Sequence, residues 1–147
     1  MVVSDSLMKL HYDIPAFDLT YAGEASSNVK KMMVQLGIDP GFIKKTAISM
    51  YEAEINAVIH GNGGYADVEI DSEKIVVRIS DHGPGIPDIA LAMQEGWSTA
   101  SDEVREMGFG AGMGLPNIKR YADKLDVESS IGNGTTVTIT VEFGVRD

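Results

Sequence analysis

Ile75-Val76-Val77-Arg78-Ile79-Ser80-Asp81-His82-Gly83-Pro84-Gly85-Ile86-Pro87 carries an alternating apolar stretch directly into a glycine-rich turn. Successive side chains of a strand point to opposite faces, so counting by twos from Ile75 through Val77 and Ile79 puts Asp81 on the buried side. A carboxylate ending a buried row requires a hydrogen-bond donor. The turn that follows offers no Lys or Arg, while Gly83 and Gly85 let backbone or a ligand approach closely. A ligand is therefore a candidate for the missing partner.

Working outward, Ala66, Val68 and Ile70 alternate against Asp67 and Glu69, and Asp71-Ser72-Glu73-Lys74 predicts a hairpin between the two strands. Residues 7 to 14 read as an edge strand stopped by Pro15. Ala25, Val29, Met32, Met33 and Leu36 recur at helical spacing, with Gly37 as the C-terminal cap. Asp39-Pro40-Gly41 opens a second helix, in which Ile43, Ala47, Ile48, Tyr51, Ile55, Val58 and Ile59 keep the period until Gly61-Asn62-Gly63-Gly64. A short helix is expected from Asp88 to Gln94. From Glu95 to Gly112 periodicity gives way to Gly, Ser, Thr and charge, the composition of a mobile loop. Leu115-Pro116-Asn117-Ile118 starts a last helix, and strands near 126 to 131 and 135 to 143 flank Gly132-Asn133-Gly134. In the last strand Thr135 shares its face with Val137, Ile139, Val141 and Phe143. Early helices and antiparallel runs of strands predict an α+β fold, a two-layer sandwich with a mixed, mainly antiparallel sheet and helices on one face.

The 147 residues fit a single domain, 1 to 147, and a 44% hydrophobic content suffices for one core. With no cysteine, disulfides, thiolate zinc sites and a Cys nucleophile are excluded. His11, His60 and His82 are scattered without metal-ligand spacing. No basic start followed by an apolar run opens the chain, and no stretch approaches the roughly 18 apolar residues of a membrane span, so a soluble cytoplasmic protein is expected. A formal net charge of -10 argues against a nucleic-acid groove.

Two further constellations carry chemistry. Glu52 and Asn56 lie four apart, one turn from each other on a helix face. An Asn amide oxygen can ligate Mg²⁺, and a carboxylate one turn away can deprotonate a hydroxyl; a solvated Glu and a locally bonded Asn fit the same spacing. Gly108-Phe109-Gly110-Ala111-Gly112-Met113-Gly114-Leu115-Pro116 sets glycines at alternate positions before a helix start, where unpaired N–H groups suit a phosphate. A flexible hinge has the same composition, and the run lacks the Lys and Ser/Thr of a P-loop.

Taken in order, Glu52-Ala53-Glu54-Ile55-Asn56-Ala57, Asp81-His82-Gly83-Pro84-Gly85-Ile86, Gly110-Ala111-Gly112-Met113-Gly114-Leu115 and Gly134-Thr135-Thr136 resemble the ATP-binding domain shared by gyrase-type ATPases, Hsp90 chaperones, histidine kinases and MutL, the GHKL family with its Bergerat fold. The resemblance is closest to the anti-sigma-factor serine kinase branch and covers nearly the whole chain. It implies that Asp81 accepts from the adenine amino group with Thr135 supporting through water, and that Asn56 ligates Mg²⁺. It makes Gly83, Gly85 and Ile86 part of the nucleotide pocket and Gly110, Gly112 and Gly114 the phosphate-contacting positions of a lid, about 95 to 114, with Met113 and Leu115 also among the nucleotide-binding residues. Glu52 takes the position of the general base. Glu95-Gly96-Trp97-Ser98-Thr99 and Gly114-Leu115-Pro116-Asn117-Ile118-Lys119-Arg120 resemble the switch kinases of sigma-factor partner-switching, and Ala57-Val58-Ile59-His60-Gly61 resembles the anti-sigma factors. The lid is longer than in those kinases, and its Arg105 reads either as a phosphate contact or as a solvated charge.

The function so implied is an ATP- and Mg²⁺-dependent serine kinase acting on an anti-sigma-factor antagonist of the STAS type; a sigma factor or other regulator is a candidate further partner, and the oligomeric state is left open, with a homodimer as one option. The rival is an anti-sigma or switch module in which ATP orders a protein-binding surface. A third reading, an ATPase fragment of the chaperone or topoisomerase kind, is disfavoured by the absence of a transducer domain.

Overall fold

In the computed structural model the described residues are 8–15, 22–59, 62–83, 114–129 and 132–144. The elements run β1 (Met8–Ile14), α1 (Glu24–Gln35), α2 (Pro40–Ile59), β2 (Gly64–Ile70), β3 (Lys74–Asp81), α3 (Gly114–Tyr121), β4 (Lys124–Ser129) and β5 (Thr135–Glu142). The five strands form one sheet in the order β1-β2-β3-β5-β4, antiparallel at every pairing. β1 is an edge strand, as its Pro15 stop suggests. The expected helix at 88 to 94 and most of the lid lie outside the described residues.

Alternation in the sequence becomes burial in the sheet. Ala66, Val68, Ile70, Ile75, Val77, Ile79, Val137, Ile139 and Val141 form the floor of the core, each at most 7% exposed. Onto them α1 sets Val29 and Met33, α2 sets Met50, Ala53, Ala57 and Val58, and α3 sets Ile118. Each large apolar side chain so buried contributes about 1.5–3 kcal/mol relative to exposure. The opposite sheet face is polar: His11 bonds Asp67 at 2.6 Å and stacks on Tyr65.

Local chemistry fixes the element ends. Gly37 takes φ 74 after α1, a left-handed conformation in which glycine ends helices. In the β2–β3 hairpin Asp71 Oδ1 accepts from the N–H groups of Glu73 and Lys74 at 2.7 and 3.0 Å. β4 begins two residues ahead of the expected 126, because Lys124 already pairs with Thr140.

Candidate functional site

Asp81 is the last residue of β3, and the inward phase read from the sequence holds: Ile75, Val77 and Ile79 before it are buried. The carboxylate itself is half-buried, and its donors are backbone rather than a basic side chain. Gly83 N–H and Thr135 N–H both donate to Asp81 Oδ1, each at 3.0 Å. Among the described residues no hydrogen bond reaches Oδ2, the oxygen that remains for a ligand. Burial pushes the Asp81 carboxyl above the usual carboxylate range, against the pull of those two N–H groups.

Two glycines press on Asp81 from either side. Gly64 faces it across the β2–β3 ladder, and a Cβ built there would fall on the Ser80 carbonyl oxygen and the Asp81 Cα. Gly134, at φ 76, lies so close that a Cβ would overlap the Asp81 carbonyl oxygen. The next residue, Thr135, is 8% exposed. Its hydroxyl is engaged by Ser129 Oγ at 2.9 Å, so its link to Asp81 within the protein is direct and made by the main chain.

α2 delivers the second group of residues to the same end of the sandwich. Gly63 N–H donates to Ala57 O at 2.9 Å, and Gly63 O accepts from His82 N–H at 3.1 Å. This backbone chain joins the residue after Asn56 to the residue after Asp81. Asn56 is half-buried, and among the described residues its amide makes no hydrogen bond. One turn earlier the half-buried Glu52 accepts from Asn117 Nδ2 at 3.3 Å. Burial raises the Glu52 carboxyl above its ordinary value, and the Asn117 hydrogen bond partly offsets this.

Not every expected site residue joins this group. Gly85, Ile86, Gly110, Gly112, Met113 and Arg105 lie outside the described residues. Gly114 begins α3. The Leu115 side chain is 7% exposed and packed into the hydrophobic cluster, where the apolar period of α3 turns it inward with Ile118.

Glu54 is the residue whose importance the spacing of Glu52 and Asn56 hides. It is 2% exposed, and its carboxylate caps α1: Gly23 and Ala25 N–H donate to Oε2 at 3.0 and 3.1 Å, and Ser26 N–H to Oε1 at 2.9 Å. Exposed N–H groups and partial positive charge at a helix start make a natural seat for a buried carboxylate. The available signal was its place on the apolar phase of α2, four residues after Met50 and four before Val58. Asn117 carried no such signal.

Residues 49–145 match the family described as histidine kinase-, DNA gyrase B-, and HSP90-like ATPase. The chain belongs to that ATPase family. Within it, the anti-sigma F factor of Thermoanaerobacter sp. (strain X514) is 39% identical over 105 residues, 68% of this chain and 68% of its own. The serine/threonine-protein kinase RsbT of Bacillus subtilis (strain 168) is 31% identical over 125 residues, 82% of this chain and 86% of its own. A Mycobacterium tuberculosis crystal structure of RsbU and RsbW domains shares the fold with TM-score 0.62 and 16% identity, over 91% of this chain and 32% of that one. The family of partner-switching kinases and anti-sigma factors is thus the one to which the ordered motifs pointed. Among the described residues no helix is long and apolar enough to cross a membrane.

Proposed function

We propose that this chain is an ATP- and Mg²⁺-dependent protein serine/threonine kinase of a cytoplasmic sigma-factor partner-switching system, phosphorylating an anti-sigma-factor antagonist of the STAS type. The observation that carries the reading is Glu52. It is a half-buried carboxylate with a raised pKa, one turn before Asn56 on α2 and hydrogen-bonded to Asn117 of α3. A base works best when its pKa approaches the working pH, and burial moves Glu52 in that direction.

The residues fit a nucleotide. Asp81 has one oxygen anchored by backbone and the other available to accept from an adenine amino group, and its main chain is packed against Gly64 and Gly134, where no Cβ fits. Asn56 would hold Mg²⁺ through its amide oxygen. Gly83, Gly85 and Ile86 would wall the base pocket, and the run Gly110, Gly112, Met113 and Gly114 would meet the phosphates at the start of α3. Bound ATP supplies the phosphoryl group, with Mg²⁺ neutralising its charge. Glu52 would accept the proton of the substrate serine as its oxygen attacks the γ-phosphorus, the bond to the bridging β-phosphate oxygen breaking and ADP leaving.

The deciding experiment incubates the chain with radiolabelled ATP and the antagonist encoded beside it. Wild type is expected to label the antagonist on serine, and Glu52→Ala to bind nucleotide without labelling. The competing reading, a nucleotide-gated anti-sigma module, is favoured by the relatives named anti-sigma F factor. It prevails if wild type binds nucleotide and its partner yet transfers no label. A homodimer through β1 or the open sheet face belongs to the same proposal and is tested by light scattering.

A further inference from the structure

α3 follows directly on the glycine-rich run and packs against α2, on which Glu52 stands. Two of its polar side chains form a short relay toward that carboxylate. Arg120 Nη1 donates to Asn117 Oδ1 at 3.3 Å, and Asn117 Nδ2 donates to Glu52 Oε2 at 3.3 Å. We infer that Asn117 is a positioning residue for Glu52, fixing the carboxylate from a second helix, with Arg120 in turn fixing the orientation of the Asn117 amide.

The chemistry of the three groups supports this order. A guanidinium only donates, so the amide edge facing Arg120 must be the carbonyl, and the NH₂ is left to face Glu52. An Asn free of Arg120 has no such constraint and can turn its oxygen toward the carboxylate, a repulsive arrangement. Arg120 and Asn117 stand three apart on α3, where helical side chains are neighbours. The backbone that carries them is held by Leu115 and Ile118, both buried in the core. Glu52 keeps Oε1 for a proton while Oε2 is held, which defines the direction from which a hydroxyl is met.

The inference rests on the proposed role of Glu52 as a base, and its test separates the two. The Glu52 carboxyl is followed by ¹³C NMR titration in wild type, Asn117→Leu and Arg120→Met, without nucleotide. Loss of the Asn117 donor leaves burial unopposed, so the midpoint in Asn117→Leu is expected to rise by about half a unit to one unit, the equivalent of one net hydrogen bond. Arg120→Met is expected to raise it less. In phosphoryl transfer, the acidic limb of kcat should move up with the Glu52 midpoint while the KM for ATP stays unchanged. A Glu52 midpoint in folded Asn117→Leu equal to that of wild type overturns the inference. The expected midpoint rise in Asn117→Leu, found together with wild type that transfers no phosphate, overturns the kinase reading alone.

Discussion

Gly134 and Asp81 are in mutual contact at the main chain: no Cβ fits at Gly134 without overlapping the Asp81 carbonyl oxygen, and the N–H of the following residue holds Asp81 Oδ1. Gly134→Ala therefore meets two costs, a left-handed φ of 76 and a backbone collision. Gly132, at φ 84 with open space around it, meets the first only. Gly132→Ala should cost about 1–2 kcal/mol, and Gly134→Ala clearly more, with a matching loss of nucleotide affinity. Denaturant unfolding of both variants checks this; equal costs would remove the close-approach argument.

Asp81→Asn keeps an oxygen that accepts from Gly83 and Thr135, so the fold should persist. What changes is the other position, where an acceptor becomes an amide donor and, on the proposed reading, faces the adenine amino group. Loss of one charge-assisted bond of about 1.5–3 kcal/mol weakens binding roughly 10- to 100-fold. Calorimetric titration with ATP, alongside circular dichroism, gives the comparison, and unchanged affinity would withdraw the adenine role.

Glu52 makes a signed prediction about pH. Its folded pKa is raised by burial above the unfolded value, so its contribution favours folding fully below the unfolded pKa and is lost as pH rises through the folded pKa. At neutral pH the charge is thus a burden on stability. Glu52→Gln should raise Tm at pH 7.5, show no gain at pH 4, and abolish phosphoryl transfer. Thermal melts across that range test it, and a variant less stable than wild type at pH 7.5 would contradict the burial argument.

Glu54 is tied into the fold by hydrogen bonds. Its carboxylate satisfies N–H groups of Gly23, Ala25 and Ser26, all within or before the first turn of α1. Glu54→Ala leaves those donors buried and unpaired and should destabilise by about 3–5 kcal/mol. Glu54→Gln, keeping one acceptor oxygen, should cost less. Urea unfolding of the pair measures the difference, and a cost for Glu54→Ala below that of a surface substitution would sink the capping role.

The elements were legible because their signals are local. The inward row Ile75, Val77, Ile79 and the inward Thr135 follow from a period of two; α2 follows from its period of 3.6 up to the glycines after it. The inward side of α3, with Leu115 and Ile118 buried, follows from the same apolar spacing.

By itself, the sequence determined the order of the elements, the face on which Asp81 stands and the family that its motifs place it in. Only the tertiary structure decided what each polar group touches. Thr135 reaches Asp81 across 54 residues, Asn117 reaches Glu52 across 65, and the α1 N-terminus reaches Glu54 across 28 to 31. Periodicity records which side of an element is apolar, because burial acts on every turn alike. A hydrogen bond between distant residues depends instead on how helix and sheet dock, and docking leaves no repeat along the chain. That is why Asp81, read first as a carboxylate in need of a partner, is held on one oxygen by backbone, leaving the other for what the site binds.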